Sequence, residues 1–334
     1  MEPDILLLRF SAIGDLLLTT PLLRALRARH PGARLTFVTR EDMADTLRHN
    51  PRLDRLITWR HDTPLAPLVA ELRAGRWTHR LDLHDSLRSR MVRWQVGGAW
   101  TTYPKYRLNR TLLIATRRRL GGALGPVAER YFEAARDLDV TPDGGPPEFF
   151  LTREAEAAAE RFLVEHRLGQ RRRLVALVPG AAHATKRWPE AHWMELIDRL
   201  APEHDLLVLG GPAERDLGAR LAPDGIPGRA SAAGAFSLVT SGALLRRADV
   251  VVTGDTGLLH LATAVGTPAV ALYGPGVREF GFFPYRGRAT VLERDLPCRP
   301  CRAHGGEQCP LGHHRCMTDL TPDLVLDALR APIR

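Results

Sequence analysis

The chain has 334 residues, more than a single hydrophobic core usually organises, so its length predicts two domains. Its 44% hydrophobic and 25% charged residues are typical of a folded globular protein and argue against a disordered chain. The formal net charge is +9, and the stretch from Arg88 to Arg119 carries nine arginines and lysines and no acidic residue. This charge favours an anionic partner, whether nucleic acid, an anionic lipid surface or a phosphorylated substrate, and the alternative is a solvated arginine-rich face.

The first residues, MEPDILLLRF, lack a basic leader, and their apolar run ends at Arg9. No later stretch approaches the roughly 18 uncharged apolar residues that a membrane-spanning helix requires. We therefore expect a cytoplasmic protein that is at most peripheral to a membrane, in a reducing compartment that disfavours structural disulfides.

Strand and helix patterns alternate along the first half of the chain, which predicts a parallel sheet built from βαβ units. The predicted strands are Ile5–Leu8, Arg34–Thr39, Leu56–Thr58 and His79–Leu83, and the predicted helices are one ending at His30, Leu65–Ala74 and Glu129–Leu138. Polar side chains cluster where the fourth strand ends, and the carboxyl ends of parallel strands line ligand crevices. These candidate ligand contacts are Asp82, His84, Asp85 and Ser86.

A turn-rich break, TPDGGPP at residues 141–147, suits a linker, and we place the domain boundary within about ten residues of Gln170. The predicted strands beyond it are Leu174–Val178, Leu206–Leu209, Val250–Thr253 and Ala269–Leu272, and the predicted helices are Arg153–Arg167, Pro189–Leu200, one ending at Leu221 and one following Ser237. Two α/β halves predict a cleft between domains, which is a preferred place for a ligand.

The stretch from Val250 to Pro275 is the most informative part of the sequence. A β-branched strand pattern is followed by the turn Gly254–Gly257, a helical pattern and a stop at Gly266. The first N–H groups of a helix lack partners and carry partial positive charge, so such an end suits a phosphate. Asp255 and Thr256 lie where side-chain oxygens cap the helix, and His260 lies about one turn in, within reach of the same pocket. The alternative is that the first two only cap and His260 only packs.

Several common catalytic motifs are missing from the sequence. The loop after the first strand reads RFSAIGD and not G-x-G-x-x-G, and there is no P-loop, G-x-S-x-G or H-E-x-x-H. The sequence therefore argues against ordinary dehydrogenases, ATPases, hydrolases and metalloproteases.

Five motifs occur in order: GD at 14–15, TP at 20–21, PGA…KRWP at 179–189, GGP-x-E at 210–214 and GDTGLLHLA at 254–262. With these the chain resembles glycosyltransferase family 9, which contains the bacterial heptosyltransferases of lipopolysaccharide core assembly; CPLGHHRCM at 309–317 resembles a variant within it. The resemblance implies the α/β GT-B fold, two Rossmann-like doubly wound domains facing across a cleft. It implies an acceptor-binding domain at 1–168, a nucleotide-sugar-binding domain at 169–320 and a last helix within 321–334 that packs back toward the first domain.

The resemblance also implies an inverting, metal-independent transfer of a heptose-like sugar from an ADP-sugar to a lipopolysaccharide-core or related membrane-associated saccharide. Inversion needs a base for the acceptor hydroxyl, and Asp15 matches the family's base position; the alternative is that Asp15 only caps a helix from Leu16. Lys186 matches a family lysine and would neutralise the departing phosphate. The implied donor contacts are the diphosphate-binding Asp255, Thr256 and Gly257, His260 as their support, and Glu214 for the ribose hydroxyls.

Family acceptors are anionic lipid-linked saccharides at the cytoplasmic face of the inner membrane, which suggests a role for the arginine-rich stretch. Arginine suits bidentate phosphate or carboxylate contacts, and the same charge would hold the protein near an anionic leaflet. The predicted acceptor-binding residues, all assigned to the N-terminal domain, are Arg88, Arg90, Arg93, Lys105, Arg107 and Arg110.

All four cysteines, at positions 298, 301, 309 and 316, lie in one segment with the spacing C-x2-C-x7-C-x6-C. Cys298, Cys301, Cys309 and Cys316 are therefore candidate ligands of a structural zinc, with a redox-sensitive disulfide and unliganded packing thiols as alternatives. The segment follows the donor motif and is interpreted as structural and not catalytic.

Two other functions remain open at this point. A nucleotide-sugar epimerase of similar two-domain build would act without an acceptor. A basic, zinc-containing nucleic-acid-binding protein would need aromatic or helix-turn-helix features beside the charge, and the 6% aromatic residues are not grouped that way.

Overall fold

The computed structural model describes residues 2–118 and 124–333, so Met1, Arg119 and Arg334 of the predicted segments lie outside the described residues. The chain divides into two compact units, which are called unit 1 and unit 2 below. Unit 1 comprises Met1–Lys105 and Gly125–Phe150, and unit 2 comprises Tyr106–Leu124 and Leu151–Arg334.

Strands and helices alternate in both units. The strands are β1 (Asp4–Leu8), β2 (Arg34–Arg40), β3 (Arg55–Trp59), β4 (His79–Asp82), β5 (Thr101–Thr102), β6 (Arg173–Val178), β7 (His204–Val208), β8 (Arg229–Ser231), β9 (Val250–Gly254), β10 (Ala269–Tyr273) and β11 (Ala289–Glu293). The helices are α1 (Ile13–Leu17), α2 (Thr20–Arg29), α3 (Ala66–Ala74), α4 (Leu87–Val96), α5 (Arg107–Thr116), α6 (Val127–Arg130), α7 (Arg153–Glu165), α8 (Glu190–Leu200), α9 (Arg215–Leu221), α10 (Leu238–Arg247), α11 (Gly257–Val265), α12 (Arg315–Thr318) and α13 (Pro322–Arg330).

Unit 1 is built on a parallel sheet with the strand order β3-β2-β1-β4-β5. The central strand β1 is a run of leucines and isoleucine that is buried on both faces, as a strand covered by helices on each side must be. The side chains of Leu6 and Leu8 pack with Trp59 and with Val92 of α4 in one core cluster.

Unit 2 is built on a second parallel sheet, with the order β11-β10-β9-β6-β7-β8. Its centre, β9, is the predicted β-branched run, and every residue of it is buried. Gly266 ends α11 with a left-handed backbone (φ +84°), as predicted, because a residue without Cβ adopts that conformation at little cost. The α/β prediction with two doubly wound parallel sheets is confirmed.

The structure corrects the predicted domain limits. The division that follows the helical residues ending at Leu138 falls at Phe150 and not near Gln170, because α7 packs on α10 of unit 2. Glu156 also pairs with Arg246 and Glu160 with Arg247. Residues 106–124, including Arg107 and Arg110, belong to unit 2 and not to the N-terminal unit.

The last helix, α13, packs within unit 2. The side chains of Val325 and Leu326 in α13 pack into the core of unit 2 beside α8, and Asp323 pairs with Arg199 at 2.7 Å. The apolar face of α13 is therefore buried in the core of its own unit. Within the described residues, no helix is both long enough and apolar enough to cross a membrane.

Candidate functional site

Asp15 lies in α1, directly after the loop that follows β1. The helix begins at Ile13, so Asp15 is its third residue and not the cap of a helix from Leu16, as the alternative prediction held. One carboxylate oxygen accepts a hydrogen bond from the Ala12 N–H at 3.3 Å, and the other lies 2.7 Å from a guanidinium nitrogen of Arg9. The carboxylate is 22% exposed, so it is oriented by the protein and still open to solvent.

Arg9 is the residue of this site that the sequence did not reveal. It is 4% exposed, donates to the Leu83 carbonyl, and lies 5.5 Å from the centre of the Tyr131 ring. Burial, the largest single effect, disfavours its charged form, but the negative charge of Asp15 and the contributions of Tyr131 and Tyr103 together outweigh burial and raise the pKa of Arg9 above its ordinary value. A buried, permanently charged arginine therefore holds the carboxylate of Asp15 in place.

His84, from the predicted polar cluster, lies in the same part of unit 1. Its Nδ1 accepts from the Phe10 N–H at 3.3 Å. Burial, followed by the positive charges of Arg9 and Lys105, lowers the pKa of His84 to about 3. The imidazole is consequently neutral at physiological pH.

The other polar residues of that cluster organise α4. The buried carboxylate of Asp82 accepts from the N–H groups of His84 and Asp85 and from the Ser89 hydroxyl. Ser86 is the N-cap of α4 and accepts from the Ser89 N–H at 3.2 Å. Asp82 and Ser86 thus have structural partners that account for their positions.

In unit 2 the structure brings together two predicted residues that lie 69 positions apart. Lys186 follows β6 and Asp255 follows β9, and the lysine Nζ lies 2.5 Å from a carboxylate oxygen of Asp255. Both side chains are more than four-fifths buried. Asp255 therefore holds the lysine and does not cap α11, which corrects half of the capping prediction.

The capping role belongs to Thr256. Its hydroxyl accepts from the Leu259 N–H at 3.3 Å, and α11 begins at Gly257. His260 is only 4% exposed within this helix, as the packing alternative predicted. The N–H groups of the first turn and the Lys186 ammonium give this edge of the sheet two sources of positive charge.

Glu214 lies at the carboxyl end of the neighbouring strand β7. Its carboxylate accepts from the Gly211 N–H at 2.8 Å, and its side chain lies against Gly180, where a Cβ would come within 2.3 Å of it. Glu214 and Gly180 line a cavity of about 520 Å³ whose lining includes neither Lys186 nor Asp255. Glu214 thus lies at the same strand-end edge of the sheet as the ion pair.

The cysteine-containing segment supports the lysine, a connection that the sequence analysis missed. Thr185 exchanges two hydrogen bonds with the backbone of Gly306, at 3.0 and 2.9 Å, and its carbonyl lies 3.0 Å from the His314 Nε2. The Trp188 indole also donates to the Leu320 carbonyl at 2.6 Å. The signal available in the sequence was the pair of histidines in CPLGHHRCM, since one of them, His314, makes this contact. The sequence alone does not show which residue the histidine contacts.

The four cysteines show no arrangement that fits zinc. All are free thiols; Cys298 lies 3.9 Å from the His313 Nε2, and Cys316 is buried. Among residues 2–118 and 124–333 no group of three or more His, Cys, Asp or Glu side chains is arranged to hold a metal ion. The zinc prediction therefore finds no support, and the packing alternative describes Cys316.

The predicted acceptor-binding residues are divided between the two units. Arg90 pairs with Asp85 at 2.8 Å, Arg93 lies 3.5 Å from Asp82, and Lys105 donates to the Asp85 carbonyl at 3.3 Å. Arg88 is exposed and lies over the Trp59 ring in unit 1. Arg107 begins α5 in unit 2, where Arg110 lies over Phe280 and contacts the Ala303 carbonyl.

Comparison with known proteins connects this architecture to one class. Over 98% of the chain, the structure superimposes on that of the ADP-heptose lipopolysaccharide heptosyltransferase II of Escherichia coli (TM-score 0.74, 24% identity, 97% of that chain). It also superimposes on the E. coli heptosyltransferase WaaC with ADP-2-deoxy-2-fluoro heptose (TM-score 0.69, 21% identity, 98% and 99% of the two chains). The two sheets are those of GT-B glycosyltransferases.

In sequence, the chain is 29% identical to lipopolysaccharide heptosyltransferase 1 of Pseudomonas aeruginosa, over 98% of this chain and 97% of that protein. The sequence model of glycosyltransferase family 9 (heptosyltransferase) matches residues 66–313. The chain therefore belongs to glycosyltransferase family 9, the heptosyltransferase family, and is a glycosyltransferase. This membership disfavours the nucleic-acid-binding alternative.

Proposed function

We propose that this protein is an inverting transferase that moves a heptose-like sugar from an ADP-sugar to a lipopolysaccharide-core or related membrane-associated saccharide. Support comes from the family membership and from relatives whose names include lipopolysaccharide heptosyltransferase 1 and ADP-heptose lipopolysaccharide heptosyltransferase II. The observation that carries the proposal is the Lys186–Asp255 pair beside the amino end of α11.

On the donor side, the diphosphate lies against the first turn of α11 at Thr256 and Gly257, where N–H groups and the helix dipole favour an anion. Lys186 neutralises the negative charge that develops on the diphosphate as the bond to the sugar breaks. Asp255 holds the ammonium in place, and His260 packs beneath the turn. Glu214 accepts hydrogen bonds from the ribose hydroxyls. The lysine and the helix supply the positive charge, so this scheme requires no metal.

On the acceptor side, Asp15 accepts the proton of the attacking acceptor hydroxyl. At the same time the hydroxyl oxygen of the acceptor bonds to the anomeric carbon of the sugar, and the bond between that carbon and the diphosphate breaks. Attack from the face opposite the leaving group inverts the configuration. Arg9 keeps the carboxylate in one orientation, which is what a general base requires of its surroundings.

The acceptor itself is an anionic saccharide on a lipid. The exposed Arg88 and the basic residues at 90, 93, 105, 107 and 110 provide contacts for its phosphate or carboxylate groups. Their charge also favours a position at the anionic, cytoplasmic leaflet of a membrane.

The test replaces Asp15 by Asn, which keeps an oxygen for the Ala12 N–H but cannot take a proton. We expect transfer to fall by about 10²-fold or more, whereas ADP-heptose still raises the Tm because the donor contacts are intact. Asp45→Asn, at an exposed carboxylate paired with Arg48, is the matched control and keeps full activity. Retained turnover in Asp15→Asn contradicts the base assignment, and a Tm that responds to no nucleotide sugar in a panel contradicts the donor assignment.

A further inference from the structure

Helix α4 of unit 1 exposes a row of large apolar side chains. Leu87, Met91 and Trp94 are 79%, 45% and 83% exposed, and their i, i+4, i+7 spacing puts them on one face of the helix. Single exposed apolar residues are ordinary on protein surfaces, but an aligned row with a nearly fully exposed tryptophan marks an interaction surface. We call these three residues the α4 row.

The opposite face of the helix is firmly attached to unit 1. Val92 is buried in the core cluster, and α4 packs against α3. Ser86 caps its first turn, and the Arg93 side chain lies 3.5 Å from the buried Asp82. The α4 row is therefore presented by a well-packed helix and not by a frayed end.

Positive charge surrounds the row. Arg88 and Arg90 are exposed on the same helix, and within unit 1 the sequence from residue 88 to residue 105 contains four basic and no acidic side chains. Association of two copies through this face would bring like charges together, because a two-fold interface places the same patch on both sides. An anionic lipid surface instead complements the charge and accepts the apolar side chains.

We propose that the α4 row docks this protein on an anionic bilayer, with Trp94 and Leu87 inserted at the lipid–water interface and the arginines at the headgroups. Tryptophan prefers this boundary, and apolar insertion combined with basic residues is how surface-lying helices bind anionic membranes. The inference deepens the proposed function, since it rests on an acceptor that lies in a membrane.

The test measures co-sedimentation with vesicles of phosphatidylglycerol and phosphatidylcholine, without donor or acceptor. Trp94→Ser and Leu87→Ser are each expected to weaken partitioning about tenfold, because less apolar surface is buried in the lipid. Leu311→Ser, at a leucine of unit 2 that is 63% exposed, is the matched control and binds like the parent protein. Trp94→Phe keeps binding but loses the blue shift of tryptophan fluorescence that vesicles induce.

Equal binding by Trp94→Ser and the parent protein overturns the proposal, as does equal binding to pure phosphatidylcholine vesicles. A dimer in sedimentation that Trp94→Ser dissolves would show that the row joins two copies, and this too overturns it. Because the vesicles contain no saccharide, their result is independent of transfer: vesicle binding with no heptosyl transfer contradicts only the proposed function.

Discussion

Lysine occurs at two positions of the chain, 105 and 186, although lysine and arginine together number 47. An ammonium is a compact point charge, whereas a guanidinium is a planar fork, so a lysine retained among so many arginines indicates a need for the compact group. Lys186 makes the buried contact with Asp255, and Lys105 contacts the Asp85 carbonyl. The scarcity of lysine is visible in the sequence and marks positions 105 and 186 as candidate functional residues.

The scarcity also permits a direct test of the donor site. Amine acetylation can modify only Lys105, Lys186 and the chain's terminal amine, and mass spectrometry resolves the three. ADP-heptose at about ten times its Kd should slow modification of Lys186 about tenfold, because occupied sites are shielded in proportion to binding. Lys105 provides the internal control and should react at an unchanged rate. Equal reactivity of Lys186 with and without donor would contradict its contact with the diphosphate.

His84 makes the stability of the protein depend on pH. Its pKa is about 6.5 in the unfolded chain and about 3 in the folded one, so the unfolded state binds the proton more tightly. The contribution is fully present above pH 6.5 and is lost as the pH falls toward the folded pKa.

Between about pH 7.5 and about pH 5.5, His84 should therefore lower the free energy of unfolding by about 1.4 kcal/mol. Urea unfolding at the two pH values measures this loss. His84→Asn, which keeps an acceptor for the Phe10 N–H, should remove it, and the exposed His61→Asn should not. A pH dependence unchanged by His84→Asn would show that burial and the positive charges of Arg9 and Lys105 do not lower the pKa of this imidazole as described.

At the scale of elements, the loop of residues 303–314 supports the segment that carries Lys186. Gly305 has a left-handed backbone (φ +89°), and a Cβ there would lie 3.1 Å from the Thr185 hydroxyl and 3.4 Å from Cγ of Lys186. Gly312 in the same loop is also left-handed (φ +71°), but apart from its chain neighbours no atom of the described residues lies within 4 Å of such a Cβ. The two glycines therefore separate backbone strain from contact with the lysine segment.

Gly305→Ala and Gly312→Ala should each cost about 1 kcal/mol of stability through the strained backbone. Only Gly305→Ala should also diminish the Tm increase caused by ADP-heptose, because its new methyl group crowds His183 and Thr185 in the segment that carries Lys186. Thermal unfolding with and without donor measures both effects. An equal loss of the donor response in the two variants would mean that the loop acts on stability alone.

At the scale of the whole molecule, the net charge of +9 concerns association and not the fold. Salt at about 0.5 M shortens the Debye length to about 4 Å and should reduce transfer to an acceptor in anionic vesicles about tenfold. Transfer to a deacylated acceptor should fall less, because no lipid surface is involved. Unchanged activity on the vesicle acceptor at this salt concentration would contradict electrostatic recruitment.

The two sheets could be predicted because the burial of each central strand and of the helix after it is visible as a local pattern of apolar residues in the sequence. Five of the missed elements, α4, α5, β5, β8 and β11, are short or rich in arginine, so their periodicity is weak. The turn-rich stretch 141–147 was predicted to be a linker but lies inside unit 1, where Asp143 pairs with Arg24 of α2. The division falls at Phe150 because α7 packs on α10, a tertiary contact that the local pattern of the sequence does not show.

The sequence by itself determined the alternation of strands and helices, the helix start at Thr256 and the position of the basic stretch, because these depend on neighbours within a few residues. Only the tertiary structure decided that Asp255 pairs with Lys186, that Arg9 orients Asp15 and that the cysteine segment supports the lysine. Such contacts depend on which strand ends meet at one edge of a sheet, and that register is set by the packing of the whole core.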